Sequence, residues 1–217
     1  MNNEQNLIKD TLYFIVEQYI SKYELSKFKE KAARKRTKFL AQQEIAALFS
    51  ELPFYVADEV IYFLSTIEEI QQKDDTGLLN TIDYPLVIFP FWMIETGAIY
   101  DRMENYQDWC EYDLCIIHGD DRIIFSTPVL QEKRSEAPIY YHWGLDDIEK
   151  GILCYSSLTN LLLMVAECYK TGAYYFRKSG VDGYWQEDFT KSEPIFHKYH
   201  PDLKFRSPHE LEHFLDD

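Results

Sequence analysis

G-I-L-C-Y-S-S-L-T-N-L-L-L-M-V-A-E-C-Y-K-T-G-A-Y-Y-F, residues 151–176, is the stretch on which the fold turns. Ser156 and Ser157 can accept hydrogen bonds from the free N–H groups of a helix that begins there, and Gly172 can take the left-handed turn that ends it. Between them Leu158, Leu161, Leu162, Val165 and Tyr169 recur on one helical face, while Leu163, Met164 and Ala166 carry the apolar surface well round the cylinder. A helix of this kind is covered on more than one side. It is too short for a bilayer and is interrupted by Asn160 and Glu167, so the pattern predicts the central core helix of a globular domain, packed on sheet to either side.

Outward from this helix, the sequence splits into helices and consecutive strands. Leu7 to Tyr19 has an apolar face of Leu7, Leu12, Ile15, Val16 and Tyr19. Phe39 to Phe49 reads as a second helix, broken at Leu52-Pro53 because proline removes a donor and disfavours helical geometry before it. A third helix starts near Asp58, buries Val60, Ile61, Phe63, Leu64, Ile67 and Ile70, and gives way to a polar loop after Lys73. Residues 84–92 read as a strand and 95–109 as a further helix. Leu114–Ile117 and Ile123–Phe125 form a hairpin about His118-Gly119-Asp120-Asp121-Arg122, and Pro138–Trp143 is another strand. Ala173–Phe176 is extended. Helices towards the ends around consecutive strands give α+β, with a central, mainly antiparallel sheet. Residues 1–37 are an N-terminal helical extension and 38–217 the domain with a helical tail.

Charge narrows the class of partner. The chain has 217 residues, with 22 Lys and Arg against 37 Asp and Glu and a formal charge of −15. That argues against a nucleic-acid surface over most of the chain and favours basic partners. Eight basic residues fall in the segment 22–38, opposed by Glu24 and Glu30. With only Tyr23 and Phe28 as aromatics for stacking, this segment reads as a solvated helix that pairs with the acidic body or a second subunit. Cys110, Cys115, Cys154 and Cys168 sit in apolar or aromatic runs, and the N-terminus lacks the order of a signal peptide. Reduced, buried thiols in a cytoplasmic protein are expected, with no cofactor.

The sharpest motif is His209-Glu210-Leu211-Glu212-His213. Histidines one turn apart on a helix can hold zinc while the glutamate polarises water, the arrangement of a zinc-dependent peptidase with His209 and His213 as ligands. His197 and His200 are the nearby candidates to complete such a site, although Pro201 makes them a loop. Ser207-Pro208-His209-Glu210 is equally a capping box, which gives Glu210 a structural task. Asp120 with Asp121 and Asp146 with Asp147 are acidic pairs next to strand ends, where turn hydrogen bonding favours aspartate. With Tyr141 and Trp143 they make a candidate partner-binding surface, since a tyrosine ring supplies contact area and its hydroxyl a hydrogen bond. Ser156 and Ser157 lack the G-x-S-x-G elbow of a nucleophile, and no phosphate-binding glycine loop is present.

Several of these segments together resemble the SUKH superfamily, which includes fungal cell-wall-synthesis regulators and many bacterial immunity proteins. They are the helix, Leu52-Pro53, helix unit ending in Tyr62-Phe63-Leu64; the hairpin through His118-Gly119-Asp120-Asp121; Pro138-Ile139-Tyr140-Tyr141-His142 before an acidic loop; and Ser156-Ser157-Leu158-Thr159-Asn160-Leu161-Leu162. The resemblance covers roughly residues 39–176. It implies a non-enzymatic α+β scaffold that binds another protein, commonly a toxin whose active site it blocks. Two alternatives stand beside that one: a regulatory scaffold for a cell-wall or signalling partner, and the zinc peptidase.

Overall fold

The computed structural model describes residues 3–22, 41–50, 54–73, 113–118, 123–128, 130–143, 151–179 and 182–206. Three helices come first: α1 (Asn3–Ile20), α2 (Gln42–Ser50) and α3 (Asp58–Lys73). A four-stranded meander follows, β1 (Asp113–His118), β2 (Ile123–Pro128), β3 (Ile139–Trp143) and β4 (Ile152–Tyr155), antiparallel throughout and in the order β1-β2-β3-β4. Helix α4 (Leu158–Thr171), the hairpin of β5 (Tyr174–Ser179) and β6 (Asp182–Glu187), and α5 (Phe189–Tyr199) complete it. The chain is therefore α+β with antiparallel sheets. The strand expected at 84–92 and the helix expected at 95–109 lie outside the described residues.

Helix α4 is the centre of the core. Leu158, Leu161, Leu162, Met164, Val165, Ala166, Cys168 and Tyr169 are all buried, which is what an apolar surface wrapped most of the way round a helix requires. Ser157 is its N-cap, in extended geometry, with Oγ accepting from the Asn160 N–H at 3.1 Å. Gly172 ends it at φ 69° and ψ 26°, the left-handed conformation that costs an L side chain energy and glycine nothing. Its neighbours are α1, α3 and α5 as well as β4 and β5. The expectation of sheet on either side is therefore corrected: much of its cover is helical.

The N-terminal helix is built into the same core. Ile8, Leu12, Ile15 and Tyr19 of α1 are buried with Val60, Phe63, Leu64, Ile67 and Ile70 of α3. The buried face is thus rotated from the predicted one, since Leu7 is exposed and Ile8 takes its place. Glu69 of α3 seals the outside of the contact, accepting from Lys9 Nζ at 2.6 Å, from Tyr13 Oη at 3.1 Å and from Lys73. Among the described residues of the basic segment, Lys22 is exposed; residues 23–38 lie outside them.

Candidate functional site

An antiparallel meander returns its turns alternately to opposite ends, and here that fixes where the two acidic connections leave the sheet. β1 ends at His118 and β2 starts at Ile123; β3 ends at Trp143 and β4 starts at Ile152. The register pairs His118 with Ile124, Ile123 with Trp143, and Tyr141 with Ile152, so all four termini lie at one end. With neighbouring strands about 4.8 Å apart, that end is about 14 Å across. Asp120, Asp121, Asp146 and Asp147 themselves lie outside the described residues, but the connections that carry them start and finish at these termini.

Charge is unevenly divided along the chain. The described stretches hold 17 of the 37 acidic and 12 of the 22 basic residues, a net of −5. Of the other acidic residues, 18 fall in 51–53, 74–112, 119–122, 144–150 and 207–217, with Arg102, Arg122 and Lys150 as their basic company. These stretches thus carry a net −15 against −5 for the described residues.

One predicted contact residue is overturned. Tyr141 is 3% exposed and belongs to the core, so its ring does not face a partner. The reason is the period-two alternation of β3: Ile139 and Tyr141 point inward together, and half-buried Tyr140 takes the other face. Trp143 closes the strand at the acidic end, paired in register with Ile123.

A buried carboxylate, not anticipated from the sequence, ties the sheet to the helices. Glu59, the second residue of α3, is 0% exposed. Its Oε1 accepts from the N–H groups of Ala137 at 2.9 Å and Leu158 at 3.1 Å; its Oε2 accepts from the N–H of Thr159 at 2.8 Å and from Thr159 Oγ1 at 2.9 Å. Burial pushes its pKa above the ordinary carboxylate value, and these donors pull it back down. The free N–H groups of α4 are thereby all satisfied. Leu158 and Thr159 give to Glu59, Asn160 gives to Ser157 Oγ, and Leu161 gives to the Ser157 carbonyl. In return, the N–H groups of Asp58 and Glu59 donate to the carbonyls of Arg134 and Ser135, and Tyr55 and Leu130 exchange a reciprocal pair at 2.9 Å. The signal was present: Glu59 occupies a slot of the apolar stripe, four residues before Phe63, where a charge is out of place unless something inside receives it.

Ser156 departs from its expected role. It does not cap α4. Its N–H donates to His200 Nδ1 at 3.1 Å, its Oγ lies 2.9 Å from the same nitrogen, and that oxygen accepts from Asn160 Nδ2 at 3.1 Å. An exposed serine between a strand and a helix, with a histidine on its hydroxyl, has the outline of a nucleophile and its base. Two features argue against that chemistry. The backbone N–H of Ser156 already occupies the acceptor face of Nδ1. Burial at 0% exposure holds the imidazole down to about 4, so the charged form that proton transfer from serine would create is strongly disfavoured. The contact works as a tie between α5 and the β4–α4 junction.

His197 is exposed on α5 and does not share a site with His200, whose Nδ1 is taken; His209 and His213 lie outside the described residues. Cys154 and Cys168 are free and buried, each with its thiol pushed up to about 12 chiefly by burial. These are inert as nucleophiles near neutral pH. No helix of the described residues is long and apolar enough to cross a membrane. No protein-family model matches this sequence, and neither a curated protein nor a solved structure matches it.

Proposed function

We propose that the chain is a non-enzymatic, cytoplasmic protein-binding module of immunity type, SUKH-like in fold, that occludes a basic toxin with the acidic end of its four-stranded sheet. The observation that carries the reading is the topology: two connections 26 residues apart in sequence, each with an aspartate pair, leave the sheet at the same end. The strand ends from which these connections leave span about 14 Å, and four carboxylates carried on them would add a local negative field to a chain of net charge −15. Toxins that cut nucleic acid are basic around their substrate groove, so an acidic surface can steer to that groove and cover it. Among the described residues, Glu59 caps α4, His200 docks α5, and Cys154 and Cys168 pack in the core.

The test uses a panel of basic nuclease toxins and a variant with Asp120, Asp121, Asp146 and Asp147 all changed to Asn. Calorimetric titration at 50 and 500 mM NaCl is expected to show binding that weakens with salt and at least a 100-fold loss in the variant, with toxin activity restored in parallel. Binding that ignores both the salt and the four substitutions would overturn the acidic-surface reading.

A further inference from the structure

Helix α5 is held to the body by rings and by polar ties at Lys191, at Lys198 with Tyr199, and at His200, none of which the proposed interface uses. Phe196 packs against Tyr155 with centroids 6.2 Å apart and against Phe205 at 5.4 Å. On one side Glu167 of α4 accepts from Lys198 and from Tyr199 Oη at 2.6 Å. On the other is His200, at the C-cap, on Ser156.

We propose that His200 is an acid-release latch, so that protonation of its ring undocks residues 189–206 while the core of α1, α3 and α4 stays folded. The geometry carries the argument. Nδ1 must be bare to accept from the Ser156 N–H, and in the imidazolium two N–H groups would meet there. The neutral ring then carries its one proton on Nε2, which is buried with no hydrogen-bond partner among the described residues, so the added proton has to go to Nδ1, against the Ser156 N–H. The ring is faced by Tyr155 of β4 at 5.3 Å, by Phe196 of α5 at 4.9 Å, and by Ser156, behind which stands the Asn160 amide of α4. None of these is a carboxylate that could receive the charge.

The direction with pH follows. Burial depresses the folded-state pKa from 6.5 to about 4, so the docked state is favoured fully above 6.5 and loses ground as pH falls towards 4. The loss is at most tenfold per pH unit, or about 300-fold over the interval. The neighbouring acids act elsewhere on the scale. Hydrogen bonds hold Glu167 and Asp188 below the ordinary carboxylate range, so their ties give way at lower pH. Glu187, raised by burial, favours the docked state as it gains a proton.

Hydrogen exchange on the full chain, corrected for intrinsic rates, tests this. Between pH 6.5 and 5.0 the protection of amides 190–200 should fall by about 15-fold, with amides 60–70 and 161–169 unchanged. His200→Asn, whose amide oxygen can still accept from Ser156 but does not titrate, should remove the dependence, and His197→Asn should leave it in place. A uniform loss over all segments, no loss, or persistence in His200→Asn would each overturn the latch. Should that variant not fold, the imidazole titration of the intact protein by NMR decides: a pKa at or above 6.5 refutes the proposal.

Discussion

Replacing Glu59 tests whether this fold depends on one buried carboxylate. In Glu59→Ala the N–H groups of Ala137, Leu158 and Thr159 lose their acceptor in a site closed to water. Each buried donor left unpaired costs about 1–3 kcal/mol, for a gross penalty of about 3–9 kcal/mol. Part is returned, because the native state no longer carries the desolvation cost of the carboxylate, itself several kcal/mol. A net loss of about 2–4 kcal/mol is expected, a large share of a typical domain's stability. Glu59→Gln should be milder, at about 1–2 kcal/mol. Its Oε1 can keep Ala137 and Leu158, and the Thr159 hydroxyl can turn to accept from the new amide, so the Thr159 N–H alone is stranded. Urea unfolding followed by circular dichroism, with unchanged m values, gives both numbers. A loss below about 0.5 kcal/mol for Glu59→Ala, the range of an exposed substitution, would show that the donors find other partners and would refute the reasoning.

Gly172→Ala should cost about 1–2 kcal/mol, seen as a lower midpoint of thermal unfolding. No atom lies within 4 Å of where the new Cβ would stand, so the cost is purely that of a positive φ. Partial burial raises Glu69, but hydrogen bonds from Lys73, Lys9 and Tyr13 hold it down to about 2. Because its folded-state pKa is depressed, its contribution is present above about 4.5 and is lost as pH falls through 2. Exposure to solvent keeps this below about 1 kcal/mol, and the difference between wild type and Glu69→Gln should vanish both below pH 2 and in 1 M NaCl. In a variant with Cys110 and Cys115 changed to Ser, Cys154 and Cys168 should stay silent to a thiol reagent at pH 8 and react together on addition of denaturant. Reaction of either in the native state would contradict their burial.

How far the sequence reached depended on whether a signal was local. α4 was legible with its N-cap, its C-terminal glycine and its buried faces because period, Ser157 and Gly172 coincide within sixteen residues. α3 and the strands β1 to β3 were legible for similar reasons. β4 was missed because Ile152–Tyr155 is four residues long and only Ser156 and Ser157 separate it from α4. α5 was missed because Pro194 stands in its interior, where its ring removes a hydrogen bond and argues against helix. The partner surface was half legible. The aspartate pairs could be named, but only strand order shows that the connections carrying them leave the sheet at one end, and only the phase of β3 shows that Tyr141 turns inward. Glu59 and His200 looked unremarkable because their meaning lies in partners far along the chain.

That distance has a consequence for how the protein is made. The acceptors of Glu59 wait for donors 78, 99 and 100 residues further on. A ribosome adding about 5–20 residues per second finishes the latter span in about 5–20 s. Through that interval α3 has emerged with Val60, Phe63, Leu64 and Ile67 still lacking the α4 surface that covers them, and its carboxylate stays in water. Closure of so long a loop also slows the step once the parts exist. The nascent chain is therefore a natural client for a chaperone that recognises an apolar helix, and release should coincide with synthesis of the residues around 160.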